Sequence, residues 1–247
     1  MNTSLLARGV ATLTATAGLA LAGATAVDAA TTPTPSPAVT PTSAPLTDNL
    51  ATLKARCNVA VQRRLGTLSA DAAFVKDSTA LTSGDRSTLE AQISADQSGL
   101  TALDSTIQND TTFKQAWADC QTIVTGYRVY VLEDPKMHEV IAADSVTKVD
   151  ETFATLIPEL QDLINNSSES AKVKAEAQAY LNDLTSKVDA SKTSISGVTS
   201  SVINLTPAGW PGNEVDLKSA AANINTARTD LAGAGTDANR IIQLLGA

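Results

Sequence analysis

Apolar residues recur along this chain at alternating steps of four and three. The longest run is Ala177, Leu181, Leu184, Val188, Ser191, Ile195, Val198, Val202 and Leu205, a coiled-coil seam of about four heptads. Val61, Leu65, Leu68, Ala72 and Val75 repeat the spacing earlier, as do Leu89, Ile93, Asp96, Leu100, Leu103 and Ile107, with Asp96 as an acidic intruder. Val149, Phe153, Leu156, Leu160 and Leu163 form a further seam, and Leu217, Ala221, Ile224, Leu231, Ala238, Ile242 and Leu245 form the last, which Arg228 and Gly235 weaken. The punctuation between runs suits helix ends: "TSGD" at 82–85, "NDTT" at 109–112 with Asp110 or Thr111 as cap, "NNSSES" at 165–170, and "TPAGWPGNE" at 206–214 with Asn213 as cap. The pattern predicts helices near 48–80, 84–108, 112–133, 136–165, 169–205 and 214–245. "YRVYVL" has strand-like composition, but it continues the register of Phe113, Trp117, Cys120 and Val124 and reads as helix.

Six helices of similar length suggest an all-α fold: an elongated antiparallel helical bundle or coiled coil, built as two consecutive three-helix bundles joined near residue 135. Many seam positions are Ala, Ser or Thr, which permit close helix approach but bury little area each. Such a bundle gains from a covalent tie. Cys57 and Cys120 are the only cysteines. At about 1.5 Å rise per residue they fall at heights differing by about 10 Å, within the uncertainty of the helix ends, so a disulfide between them is expected.

The joint is "YRVYVLEDPKMHEV" at 127–140. Asp134 before Pro135 reads as an N-cap followed by a first helical residue, so the chain is expected to kink or restart there. The stretch also carries the candidate chemistry. It contains Tyr127, Tyr130 and His138, the only histidine, with Glu133, Asp134 and Glu139 beside it. A metal set could be assembled on paper from His138 with Glu133, Glu139 and Asp144. The second ligand at one-turn spacing would be only a carboxylate on a capping residue, and there is no second histidine. His138 is therefore expected to be structural or exposed, with no metal and no cofactor. Trp210 in "GWPGN" is either an exposed recognition residue, which would join Asp134 among the possible ligand residues, or a plug covering a bundle end, the expected role.

Outside the helices, Arg8 and an uncharged run up to the small-x-small sites Ala24-Thr25-Ala26 and Val27-Asp28-Ala29 read as a Sec signal peptide over 1–29. Residues 30–47, with five prolines among threonines, read as an extended linker. The domain division is then 48–134 and 135–247. An oxidising compartment agrees with the expected disulfide. The net charge of −8, without a basic cluster, argues against nucleic acid and anionic membrane surfaces as partners. No membrane insertion is expected after signal cleavage.

"YRVYVLEDPKMHEVIAAD" together with "LTPAGWPGN" resembles segments of a group of secreted actinobacterial all-helical proteins of unassigned function. The resemblance implies export and a helical fold and brings no activity or catalytic residue with it.

No nucleophile elbow, zinc-protease helix, phosphate loop or dinucleotide fingerprint occurs. The acids fall mostly off the seams, which suits a solvated face better than paired catalytic carboxylates. The expectation is a secreted, non-enzymatic helical protein, an envelope-associated spacer or protein-interaction module. Its expected partner is another envelope or extracellular protein. The competing reading is a small-ligand or metal carrier with its site around Tyr127, Tyr130 and His138.

Overall fold

The structure is a computed structural model describing residues 49–246; the expected signal segment and linker lie outside the described residues. Every regular element among the described residues is helical. In chain order they are α1 (Leu50–Asp77), α2 (Ser83–Asn109), α3 (Phe113–Thr125), a π-helical turn (Val129–Glu133), α4 (Asp134–Asn166), α5 (Ala171–Ile195), α6 (Val198–Val202), a 3₁₀ turn (Pro207–Gly209) and α7 (Asn213–Leu245). No helix among them is long and apolar enough to cross a membrane.

Side-chain caps explain most helix starts. Asn49 accepts from the Thr52 amide at 2.8 Å, Thr82 from Asp85 at 3.1 Å and Thr112 from Gln115 at 3.3 Å. These hydroxyls and amides satisfy first-turn N–H groups that have no intrahelical partner. The cap of α3 is thus Thr112 rather than Asp110 or Thr111. At α7, Asn213 is the first helical residue and not the cap, and its amide donates to the Thr206 carbonyl at 2.6 Å to close the preceding loop. The C-terminus of α1 is capped from a neighbour: the Arg86 guanidinium donates to the carbonyls of Val75, Lys76 and Ser78.

α1, α2 and α3 pack as one three-helix group, and α4, α5 and α7 as another. α5 against α7 is the most extensive pairing. Ala177, Ala220, Ala227, Ala234 and Ala238 are buried along it and let the two backbones approach closely. Lys187 bridges Asp183 and Asp237 there, at 2.8 and 2.6 Å. The expected seam of the fifth helix is buried from Ala177 to Val202. Its helix is interrupted, however: Gly197 at φ +74° ends α5 and starts α6. In α7 the register differs by one residue at four places, with Ala220, Ala227, Ala234 and Ile241 in the core where the expected seam has Ala221, Arg228, Gly235 and Ile242. An alanine-rich face is broad, so neighbouring small residues compete for the seam. Cys57 and Cys120 form a disulfide across α1 and α3, with 5.7 Å between their Cα atoms.

The two groups overlap sideways. The Asp144 carboxylate accepts from the Thr82 amide at 3.0 Å and the Thr199 hydroxyl at 3.1 Å. Lys148 donates to the Thr79 carbonyl at 2.9 Å, and Gln92 on α2 to the Ile203 carbonyl at 2.9 Å. The tip of the α1–α2 hairpin therefore lies beside Asp144 and Lys148, in the first half of α4.

The break between the two groups is not at Pro135. Asp134 lies within helical backbone, at φ −61° and ψ −52°, and caps nothing. The chain instead turns at Gly126–Arg128. Arg128 sits in the left-handed region at φ 44°, the sole non-glycine residue with positive φ among those described. Its carbonyl accepts from the amides of Val131, Leu132 and Glu133, and the Asp134 amide reaches back to Val129, giving one wide turn that runs directly into α4. Pro135 has no N–H to place, and the change from i→i−5 to i→i−4 bonding at this point accommodates it without a second break.

Candidate functional site

The joint places its unusual residues in three separate environments. Tyr127 is half-buried and turns toward α2, where Gly99 makes room for it: a Cβ at Gly99 would lie 2.5 Å from the tyrosine hydroxyl. Burial, and then the charge of Asp96, raises the Tyr127 pKa. Tyr130 is exposed on the α1 side, with the Arg64 guanidinium 4.9 Å from its ring centre. The Arg128 guanidinium lies 5.5 Å from the ring centre of Trp210, which packs partly buried against the core, as a plug would. Tyr127 faces α2, while Tyr130 and His138 face α1, so the set proposed for a small ligand does not converge on one cavity.

The second environment is a buried ion pair. Lys136 is 2% exposed, and its ammonium lies 2.6 Å from the Glu133 carboxylate and donates to the Leu205 carbonyl at 3.1 Å. Asp96 on α2 belongs to the same electrostatic group. Its pKa is pushed up to about 6, first by burial and then by Glu133, with Lys136 opposing. Charges from α2, the π turn and α4 thus meet where the two helical groups touch.

The third lies between α1 and the start of α4. Asp134 and His138 are one helical turn apart and share a face, with 3.4 Å between the carboxylate and Nε2. The His138 ring packs on Phe74 at 5.0 Å between centres. Asp71, one turn before Phe74 on α1, is buried, and its Oδ2 has no hydrogen-bond partner among the described residues. Burial, and then the neighbouring Asp134, push the Asp71 pKa up to about 7. One ligand atom each from Asp71, Asp134 and His138 lie within 4.8 Å of one another. The other acids near His138 in sequence are used elsewhere: Glu133 pairs with Lys136, and Asp144 bonds Thr82 and Thr199. Glu139 feels Arg228 and His138, with burial raising its pKa overall.

Two further features lie away from the joint. A cleft of about 590 Å³ opens between α4 and α6, lined in part by Asp85, Asp150, Lys192 and Ile203. Asp150 is buried, and the Ser191 hydroxyl faces it without closing a hydrogen bond of normal geometry. Burial raises the Asp150 pKa to about 6, with Ser191 and Lys192 opposing only in part.

The other feature is on α3. The core side of this helix is Ala116 and Ile123. Phe113, Trp117 and Val124, expected in register along the apolar stripe, are 39%, 50% and 50% exposed. At about 100° per residue these three fall within a narrow arc roughly a quarter turn from the core side. The Phe113 and Trp117 rings stack nearly parallel, with centres 6.4 Å apart.

Asp71, Lys136 and Asp150 are absent from a reading based on seams and motifs. Each is a charged residue next to or on an apolar stripe, and that was the signal that could have found them. Comparison of the chain with protein-family models, with curated proteins and with solved structures finds no match.

Proposed function

We propose that this protein is an exported, non-enzymatic helical module, an envelope-associated spacer or interaction protein that acts through contacts with another extracellular or envelope protein. The observation that carries this reading is the solvent-facing stripe of Phe113, Trp117 and Val124 on α3. Large aromatic side chains on one face of a helix lose favourable burial unless something covers them, and aromatic residues of this kind anchor protein interfaces. The disulfide and the helical architecture support a durable body in an oxidising compartment. The signal-like N-terminus supports the route there.

The test has two arms. N-terminal sequencing of protein recovered outside the cytoplasm should begin just after Ala26 or Ala29. Capture from a native envelope fraction should recover a partner with the unaltered chain and lose it with Phe113→Ser/Trp117→Ser, a double variant whose helical circular dichroism is unchanged. Retention of the uncleaved chain in the cytoplasm, or equal recovery by both forms, would refute the proposal.

A further inference from the structure

We propose that Asp71, Asp134 and His138 form a binding site for one first-row divalent metal ion, with zinc as the reference probe. The site is independent of the interaction reading, because it lies between α1 and α4 and uses none of the α3 stripe.

Asp71 is 6% exposed, its Oδ2 is buried with no donor group among the described residues, and its carboxyl faces that of Asp134. A carboxylate in that position is costly unless it is protonated, paired or bound to a metal. The group nearest to it that could share its burden is a second carboxylate, Asp134, which raises the cost. A cation between the two would reverse the sign of that interaction. His138 supplies a nitrogen at the same point, one turn along α4 from Asp134, and Phe74 holds its ring.

The donor set decides the class of ion. Two carboxylates and an imidazole suit the borderline first-row divalent ions, whereas calcium takes six to eight oxygens. Tetrahedral coordination at ~2.1 Å places ligand atoms about 3.4 Å apart. The three atoms already lie within 4.8 Å of one another. Small rotations of His138 and Asp134, whose side chains are 55% and 35% exposed, close the difference without moving a helix. Water would complete the coordination from the open side.

The ligands come from both helical groups, Asp71 from the first and Asp134 and His138 from the start of α4. A bound ion would therefore act as a second tie across the joint, beside the buried Lys136–Glu133 pair's own, and would raise the stability of the folded chain by mass action.

The experiment uses the full untagged chain with zinc chloride in isothermal titration calorimetry. Because His138 is the only histidine, a long-range ¹H–¹⁵N spectrum of the imidazole reports coordination through a single spin system. The expected result is saturable binding of one zinc per chain, with a matching change in the imidazole nitrogen shifts. His138→Ala and Asp71→Asn should each weaken binding at least tenfold, while the exposed Asp162→Asn should leave it unchanged. Asp71→Asn removes a buried charge, and His138 is on the surface, so both variants should fold, which circular dichroism verifies. Binding weaker than about 1 mM, or unaltered affinity in either ligand variant, would overturn the proposal.

Discussion

Lys136 and Glu133 form an ion pair 2.6 Å long that is almost sealed from solvent, at the point where the first helical group meets the second. The pair is not isolated. Asp96 stands close enough for both partners to influence its proton affinity, Glu133 raising it and Lys136 lowering it. The cluster therefore holds two acids against one base, and the lysine is the member it cannot spare. Lys136→Met should cost about 3–5 kcal/mol, because the buried Glu133 and the partly buried Asp96 lose their counter-charge. Glu133→Gln should cost less, because Asp96 can still face the ammonium. Urea unfolding of the two variants gives the order; a greater loss in Glu133→Gln would show that Asp96 is not part of the cluster.

Asp150 sets a pH dependence in the second group. Its folded pKa is about 6 against a reference value of 3.8, so between those values the folded state holds a proton that the unfolded state has released. Stability from this group is therefore greatest below the lower value, declines as pH rises, and is lost once pH passes the upper one. That displacement corresponds to on the order of 3 kcal/mol. Asp150→Asn should match the parent near pH 4 and become progressively more stable than it up to pH 7, with the Ser191 hydroxyl facing the new amide. Melts of both proteins across that range read the difference directly. A constant gap, or a variant less stable at pH 7, would contradict the assignment.

The disulfide between Cys57 and Cys120 closes a span of 63 positions. Constraint of the unfolded chain by such a loop is worth about 4 kcal/mol. Exported protein should show no free thiol by non-reducing mass spectrometry. Cys57→Ser/Cys120→Ser should retain its helical signal but unfold at a markedly lower temperature. Two free thiols in exported material, or an unchanged melting temperature, would count against it.

The α5 seam gives a test of register. Leu184 is fully buried in the middle of the helix, and Lys192 is exposed. Leu184→Ala should cost about 2–5 kcal/mol and Lys192→Ala less than about 0.5 kcal/mol. Ile195, although on the seam, is the last residue of α5 and borders the cleft, so a polar replacement there should be milder than its heptad position alone suggests. Thermal melts of the three variants rank them; a Lys192 variant as damaging as the Leu184 one would require the register to be redrawn.

The helical architecture is legible in the sequence because it depends on local periodicity and on breakers that act within a few residues. Leu181, Leu184 and Val188 identify their seam without help from any other helix. The pairing of Cys57 with Cys120 is legible for a related reason, since counting rise along three helices places them at similar heights. Arg128 is a different case. Proline is the usual breaker, and nothing in "GYRVY" marks an arginine for the left-handed region; three amides converging on its carbonyl hold it there. Gly197 is missed because its flanks continue the heptad across it. The candidate site is legible only by half. Asp134 and His138 share a helix face at a spacing visible in the chain, but Asp71 joins them from another helix 63 positions earlier. Judged on its own helix, His138 has one weak companion and reads as structural.

The proposed function requires the α3 face to meet another protein outside the cytoplasm. A photoreactive benzoylphenylalanine in place of Trp117, with a control in place of the exposed Glu159 on α4, tests it in the producing cell. Irradiation should join the residue-117 form to a discrete partner of defined mass and leave the residue-159 form uncoupled. No adduct from position 117, or the same adducts from both positions, would contradict the claim.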